Sequence, residues 1–292
     1  LLDRESLNPQ DWASPNAGTS DATIAVLGIS NLLEGEEGAA LASSTAGDRL
    51  DYNLPQNQIT YLRKLRDAAG ERPIIALITG GSPMNLAEVH ELADAVLLVW
   101  YPGEEGGNSI ADIIFGNVSP SGRLPITFPK SLDQLPDYED YTMQGRTYKY
   151  MDQEPLYPFG YGLGYGDFSY GDLSISKTSI TKNDQVSVSL DISNESDITA
   201  DDVVQLYISD TEASVAVPNF QLFGVQRVSL EPKSSKNITF TLEPSVFQMV
   251  NNEGERVFEP GNFKVYVGGS SPMQRSFELG APQMSTGNIT LN

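Results

Sequence analysis

Residues 73–100, PIIALITGGSPMNLAEVHELADAVLLVW, decide the fold class. Residues 73–79 (PIIALIT) form an apolar run without polar alternation, the pattern of a strand covered on both faces. The Gly80-Gly81-Ser82-Pro83 breaker closes it. Residues 84–93 predict a helix, and residues 95–100 (AVLLVW) a further buried strand. Strand, helix and strand in this order make a crossover unit, the connection that parallel strands require.

The pattern extends in both directions. Upstream, residues 22–28 (ATIAVLG) predict another strand covered on both faces. Residues 54–70 repeat apolar side chains at Ile59, Leu62, Leu65 and Ala69, with Pro55 early and Gly70 where a C-terminal cap belongs, so they predict an amphipathic helix. Residues 109–115 (SIADIIF) predict a short helix after Gly106-Gly107-Asn108. The first half is therefore α/β, alternating strand and helix in the manner of an open, mostly parallel sheet.

From 116 to 170 the periodicity gives way to Pro, Gly and aromatic residues, a composition too aromatic for a disordered linker, which predicts a long ordered connector. Beyond 171 the texture is all-β. Alternating runs at 185–192, 203–209, 222–230, 236–242 and 262–267 predict an antiparallel sandwich of the immunoglobulin or fibronectin type III kind. The expected organisation is an N-terminal segment 1–21, the α/β domain 22–129, the connector 130–170 and the β-sandwich 171–292.

Charge and composition exclude several function classes. Eighteen Lys and Arg against 39 Asp and Glu leave a net charge of −21, a field that repels phosphate backbones and anionic membranes, so nucleic acid is not an expected partner. No apolar run approaches the roughly 20 residues that a bilayer span needs, so no membrane partner is expected either. The absence of cysteine removes disulfides, thiolate metal sites and thiol nucleophiles together. Residues 1–20 lack a basic start followed by an apolar stretch, and no signal peptide is read there.

The densest carboxylate group outside the periodic segments is Glu34, Glu36 and Glu37 in LLEGEEG. It follows the carboxyl end of the first predicted strand, where open α/β sheets place ligand sites. Neighbouring carboxylates raise one another's pKa, which keeps one protonated for general acid work, although a solvated acidic loop is the commoner meaning of such a run. Asp11 beside Trp12 has the look of a sugar-binding nucleophile, but no apolar strand precedes it to hold it rigid, and it is read as coincidental. His90 has no partner at metal-ligand spacing and is read as a solvent-facing or capping residue. Gly160, Gly162 and Gly164 mimic a dinucleotide loop without its flanking strand and helix, and tight turns account for them. Gly106-Gly107-Asn108 lacks the lysine of a phosphate loop and is read as a helix start. Sequons occur at Asn117, Asn194, Asn237 and Asn288.

Taken in order, GISNLLEGEEG at 28–38, GDR at 47–49, LPQNQ at 54–58, WYPGEEGGNSIADIIFGNVSPSGRLPITFP at 100–129, MQGRTYKY at 143–150 and PLYPFGYGLGY at 155–165 resemble glycoside hydrolase family 3, in its β-glucosidase and β-xylosidase members. The resemblance covers about residues 22–170, and the sandwich from 171 looks like that family's fibronectin type III-like domain. It implies an α/β sandwich packed beside an N-terminal (β/α)8 barrel, a nucleophilic Asp on the barrel, and an acid/base Glu on the loop that LLEGEEG matches. Aligning the family's Gly-Glu step selects Glu36; counting back from GDR selects Glu37. The barrel and the first part of the sandwich domain have no counterpart in this sequence, and the nucleophile is not carried over to Asp11. The resemblance thus implies the C-terminal part of a retaining exo-acting β-glycosidase for β-linked glucosides or xylosides, secreted or periplasmic, with no cofactor. The alternative is a non-catalytic carbohydrate-binding or structural module, since only one of the two carboxyl groups that glycoside cleavage needs is here.

Overall fold

A computed structural model describes residues 11, 13–30, 33 and 49–292. The chain divides into two compact units. One holds the residues up to Ala111 together with Phe128–Gln134, and the other holds Asp112–Thr127 with Leu135–Asn292.

The first unit is built on three parallel strands in the order β1 (Thr23–Gly28), β2 (Ile74–Thr79) and β3 (Ala95–Trp100). Helix α1 (Ser14–Ala17) precedes the sheet, α2 (Gln56–Ala69) connects β1 to β2, and α3 (Ala87–Leu92) connects β2 to β3. Helix α2 turns Gln58, Ile59, Leu62, Leu65 and Ala69 inward, and Gly70 ends it in the expected C-terminal cap position at a φ of 63°, a positive value that glycine adopts freely. The strand core is Ala25, Leu27, Ile74, Ala76 and Ile78. At the opposite end from the loops, Asp94 ties β2 to β3. Its carboxylate accepts the Ile74 N–H at 2.8 Å and the Arg66 guanidinium at 2.8 Å, while its own N–H reaches the Ile74 carbonyl.

Four expectations are corrected here. Strand β1 is covered on one face only, since Ile24 and Val26 are 48% and 64% exposed on the other, where no described residue supplies a second layer. Strand β3 is not a buried strand either, since Ala95 is exposed and the five residues after it are only half-buried. The helix expected from 84 begins at Ala87, because the Asn85 side chain bonds the Ala87 N–H and its backbone pairs with the chain at Asn53. Helix α4 (Gly106–Ile114) starts earlier than the apolar pattern indicated, at the buried Gly106, where a Cβ would stand 2.5 Å from Pro102.

The second unit is a β-sandwich. One sheet has the order β6 (Ser179–Ile180), β14 (Ser285–Leu291), β13 (Gly261–Gly268), β8 (Ala200–Asp210) and β9 (Gln221–Leu230), antiparallel except for the β6–β14 pair. The other places β7 (Val186–Asn194) between β10 (Ser235–Leu242) and β4 (Phe168–Tyr170), with β5 (Ser174–Ile175) also on β7, and β11 (Gln248–Val250) and β12 (Arg256–Phe258) pair as a separate ribbon. Alternate residues of both sheets, including Val188, Leu190 and Ile192 from β7, Leu206 from β8, Phe240 from β10 and Val265 from β13, enter one apolar core. Asn194 lies fully buried at the end of β7, its amide donating to the Ile198, Leu230 and Glu231 carbonyls, so its sequon is closed to glycosylation, whereas Asn117, Asn237 and Asn288 are exposed.

The connector is ordered by polar contacts within this unit. The Arg123 guanidinium donates to the Gly269, Ser121 and Gly122 carbonyls and pairs with Asp202, which is 1% exposed and also accepts the Tyr170 hydroxyl. Burial, and then the Asp202 charge, push the Tyr170 phenol well above its ordinary pKa. Of the three glycines read as turn residues, only Gly160 has a left-handed backbone, at φ 74°. A Cβ at Gly162 or Gly164 would instead strike the Gly122 or Pro120 carbonyl, at 2.4 and 2.6 Å. Close backbone approach accounts for that pair.

Asp202→Ala is expected to cost about 3–5 kcal/mol, measured by urea unfolding, because it leaves a largely buried guanidinium and a buried phenol without their acceptor. The Asp94 pKa lies below the ordinary carboxylate range, held there first by the Ile74 N–H and then by Arg66. Its stabilising effect is therefore full above the unfolded pKa of about 3.9 and is lost as pH falls through the lowered folded value. Asp94→Asn should leave a urea midpoint that falls less steeply than wild type below about pH 4.

Candidate functional site at the carboxyl end of the parallel sheet

A parallel sheet puts every strand's carboxyl end on one edge, and here that edge carries the unusual backbone geometry of the unit. Gly28 ends β1 at φ 132°, Gly80 follows β2 at 155°, and Trp100 ends β3 at 53°. For a bulky residue such as Trp100 this conformation costs about 1–3 kcal/mol, and such strain concentrates at functional sites. It coincides with an irregularity in the ladder, where Thr79 pairs with Trp100 directly after Ile78 pairs with Leu98.

The exit of β1 is fixed from both sides. On one side the Gln58 amide donates to the Gly28 carbonyl at 2.7 Å and accepts the Gly28 N–H at 2.8 Å. On the other, the Ile29 N–H donates to the Thr79 carbonyl at 2.9 Å. Gln58 is only 8% exposed, and a Cβ at Gly28 would stand 2.0 Å from the Thr79 carbonyl oxygen, so glycine is the residue this crossing admits. Ile29 and Leu33 are buried beyond it, with the Leu33 N–H donating to the Ser30 carbonyl.

The chain is fixed again at Arg49, whose guanidinium donates to the Asn53 carbonyl and lies 3.6 Å from Asp51. Asn85 then binds this segment, donating its amide to Asn53 Oδ1 at 2.9 Å and its backbone N–H to the Tyr52 carbonyl at 2.8 Å. The Tyr52 hydroxyl donates to the Pro129 carbonyl; burial, with Asp133 adding its charge, pushes this phenol up to about 12. The segment between Leu33 and Arg49 thus leaves from and returns to a fixed framework. Glu34, Glu36 and Glu37 belong to that segment and lie outside the described residues.

The remaining sequence candidates are placed elsewhere. Asp11 is exposed ahead of α1, where its carboxylate accepts the Ala13 and Ser14 N–H groups and the Ser14 hydroxyl. The Ser14 hydroxyl, and then its N–H, hold this carboxyl below the ordinary range, as suits a turn leading into a helix; Trp12 lies outside the described residues. His90 is half-buried on α3. Among the described residues no three His, Asp or Glu side chains converge as metal ligands. In the second unit, a cleft of about 390 Å³ is lined by Arg123, Leu124, Phe159, Gln205, Val225 and Arg227 among others. Arg123 is committed there to protein oxygens, and Arg227 to Asp201. Gln58 is the residue that sequence reading missed. Its signal was a polar side chain at 58 in step with Leu62, Leu65 and Ala69 on the buried stripe of a helix.

A parallel α/β unit followed by a β-sandwich defines a two-part α/β-plus-β class of protein, and comparison with known proteins makes it specific. Residues 7–165 match the glycosyl hydrolase family 3 C-terminal domain, and residues 202–271 match a fibronectin type III-like domain. This chain belongs to glycoside hydrolase family 3. It is 34% identical to a periplasmic β-glucosidase of Salmonella typhimurium over 92% of its length and 37% identical to a putative β-xylosidase of Formosa agariphila over 90%. The chain spans 36% and 35% of those two proteins. Among solved structures, a β-glucosidase from Erythrobacter marinus superposes with a TM-score of 0.77 at 34% identity, covering 96% of this chain and 36% of that one. A β-glucosidase from Listeria innocua in complex with glucose superposes at 0.79 and 27% identity, covering 99% and 39%.

Gly28→Ala is expected to be among the most damaging single substitutions in this unit, costing at least about 3 kcal/mol through a strained φ and a backbone clash, read as a lowered melting temperature.

Proposed function

We propose that this chain is the C-terminal part of a retaining exo-acting β-glycosidase acting on β-linked glucosides or xylosides, and that it supplies the acid/base carboxyl. The observation that carries this reading is the braced exit of β1 at Gly28, eight residues before Glu36, from which the LLEGEEG segment departs. Glu36 is the proposed acid/base, with Glu37 the alternative one register along. In such a reaction the acid protonates the departing glycosidic oxygen while a second carboxylate attacks the anomeric carbon; the first then takes a proton from the water that releases the sugar. The second carboxylate is proposed to lie on an N-terminal (β/α)8 barrel. Support for a further covering element comes from the chain's share of its relatives' length, about a third, and from the uncovered apolar face of β1 at Ile24 and Val26. The name of the Salmonella relative supports a periplasmic or secreted setting. Among the described residues no helix is long and apolar enough to cross a membrane.

The test is hydrolysis of aryl β-glucosides and β-xylosides by this chain alone and by this chain joined to or mixed with its barrel. Activity only in the second case is expected; a non-catalytic module would give none in either. In the assembled protein, Glu36→Gln should lower turnover of substrates with poor leaving groups by about 10²–10⁴-fold while affecting activated ones much less, since acid assistance matters most when the departing oxygen is basic. Azide should partly restore turnover of the activated substrate. The same pattern in Glu37→Gln instead would move the assignment by one residue, and its absence from both would sink it. Separately, light scattering of the isolated chain should show association, against which a dilution-stable monomer binding no apolar dye would count.

A further inference from the structure

The Gln58 amide makes contacts of the kind a neighbouring strand would make. A residue in a strand directs its N–H and C=O to the same side, and Gln58 answers both at Gly28, the last residue of β1, at 2.8 and 2.7 Å. It acts there as a one-residue strand. Thr79 holds the other side through the Ile29 N–H and, with its hydroxyl 3.3 Å away, through the Leu27 carbonyl. The backbone direction at the strand end is thus set between a helix side chain and a neighbouring strand. Gln58 itself has little freedom, since α2 is packed through Ile59, Leu62, Leu65 and Ala69. An apolar side chain of similar length would fill the same space and make neither bond, leaving the Gly28 N–H and C=O without these partners.

We infer that Gln58 is a positioning residue for the acid/base: by clamping both polar groups of Gly28 it fixes where the segment bearing Glu36 leaves the sheet. This rests on the reading of that segment given above. Glu36 follows the buried anchors Ile29 and Leu33 by seven and three residues. Gln58 acts at Gly28, five residues before Leu33, so a displaced strand end shifts the Ile29 and Leu33 anchors, from which the last three residues, at most about 10 Å long, run to Glu36. General acid catalysis tolerates little displacement, because the proton must pass within hydrogen-bond reach of the leaving oxygen.

The experiment compares Gln58→Met, Gln58→Glu and Glu36→Gln in the assembled protein with two aryl β-glucosides, one with a good and one with a poor leaving group. Gln58→Met should lower kcat/KM for the poor leaving group on the order of 10- to 100-fold, with a markedly smaller loss for the good one. A purely structural role would scale both substrates equally by reducing the active fraction. Added to Glu36→Gln, the Met substitution should deepen the leaving-group discrimination no further. Gln58→Glu serves if the Met variant fails to fold. A protonated carboxyl has one donor and one acceptor, like the amide, whereas the buried carboxylate cannot donate to the Gly28 carbonyl. Its discrimination between substrates should therefore approach wild type as pH falls through the carboxyl's raised pKa and worsen above it. Equal loss on both substrates, or a Gln58→Glu discrimination that does not change with pH, overturns the inference while a selective Glu36→Gln leaves the acid/base reading standing. If neither Glu36→Gln nor Glu37→Gln discriminates between leaving groups, the reading and the inference fall together.

Discussion

A primary amide buried in an apolar interior must find partners for both its halves, and in this protein Gln58 directs both at one glycine. The local architecture follows from that demand. The stripe of Ile59, Leu62, Leu65 and Ala69 holds α2 against the sheet and carries Gln58 to the end of β1. The crossing there is too close for any side chain on Gly28, whose φ of 132° is one that glycine adopts without the Cβ penalty. Packing, backbone conformation and hydrogen bonding therefore select the same geometry. A site that depends on sub-ångström placement requires this agreement of levels.

The second unit meets the same demand differently. One set of its buried polar groups satisfies itself: Arg123 meets Asp202, Asp202 meets Tyr170, and Gln205 bonds the Gly160 and Gly269 carbonyls while accepting the Tyr207 hydroxyl. A closed network of this kind specifies a unique packing of the aromatic connector on the sandwich and leaves few donors for a ligand. The aromatic rings follow suit, with Tyr148 stacked on Phe159 and both edge-on to Tyr207. Of the connector's aromatics, Tyr148 and Phe159 build this cluster, whereas Tyr138 and Tyr141 are exposed.

What could be read from the sequence follows the physics of each signal. Strands of a parallel sheet appear as unbroken apolar runs, so the positions of 22–28, 73–79 and 95–100 were legible although only β2 is largely buried, and sandwich strands appear as alternation, so the cores of β7, β8, β9, β10 and β13 were too. Strand β14 escaped because STGNITL offers only Ile289 and Leu291 to the core, with Gly287 making room for Ile175. The second face of β1 was misread because an apolar run records what a strand is fit to bury, whereas its cover can come from chain that is not part of this sequence. Gln58 was invisible to a reading that counted apolar residues alone. The choice between Glu36 and Glu37 stayed open for a different reason: one register is set by the Gly-Glu step and the other by GDR, and the two differ by a residue.

The chemistry proposed here needs two properties that a fold supplies separately. Position comes from the strand end, where Gln58, Thr79 and the buried Ile29 and Leu33 fix the root of the acidic segment within this unit. Acidity is another matter, because a glutamate acting as a general acid near neutral pH must have its pKa raised by two units or so, which takes apolar walls or a second carboxylate close by. A barrel that carries the nucleophile would bring both at once: its carboxylate would raise the acid's pKa by like-charge repulsion, and its walls would exclude water. On this view the proton donor is placed by one part of the protein and tuned by another, so that it gains its function only when the carboxylate that needs it as a partner has arrived.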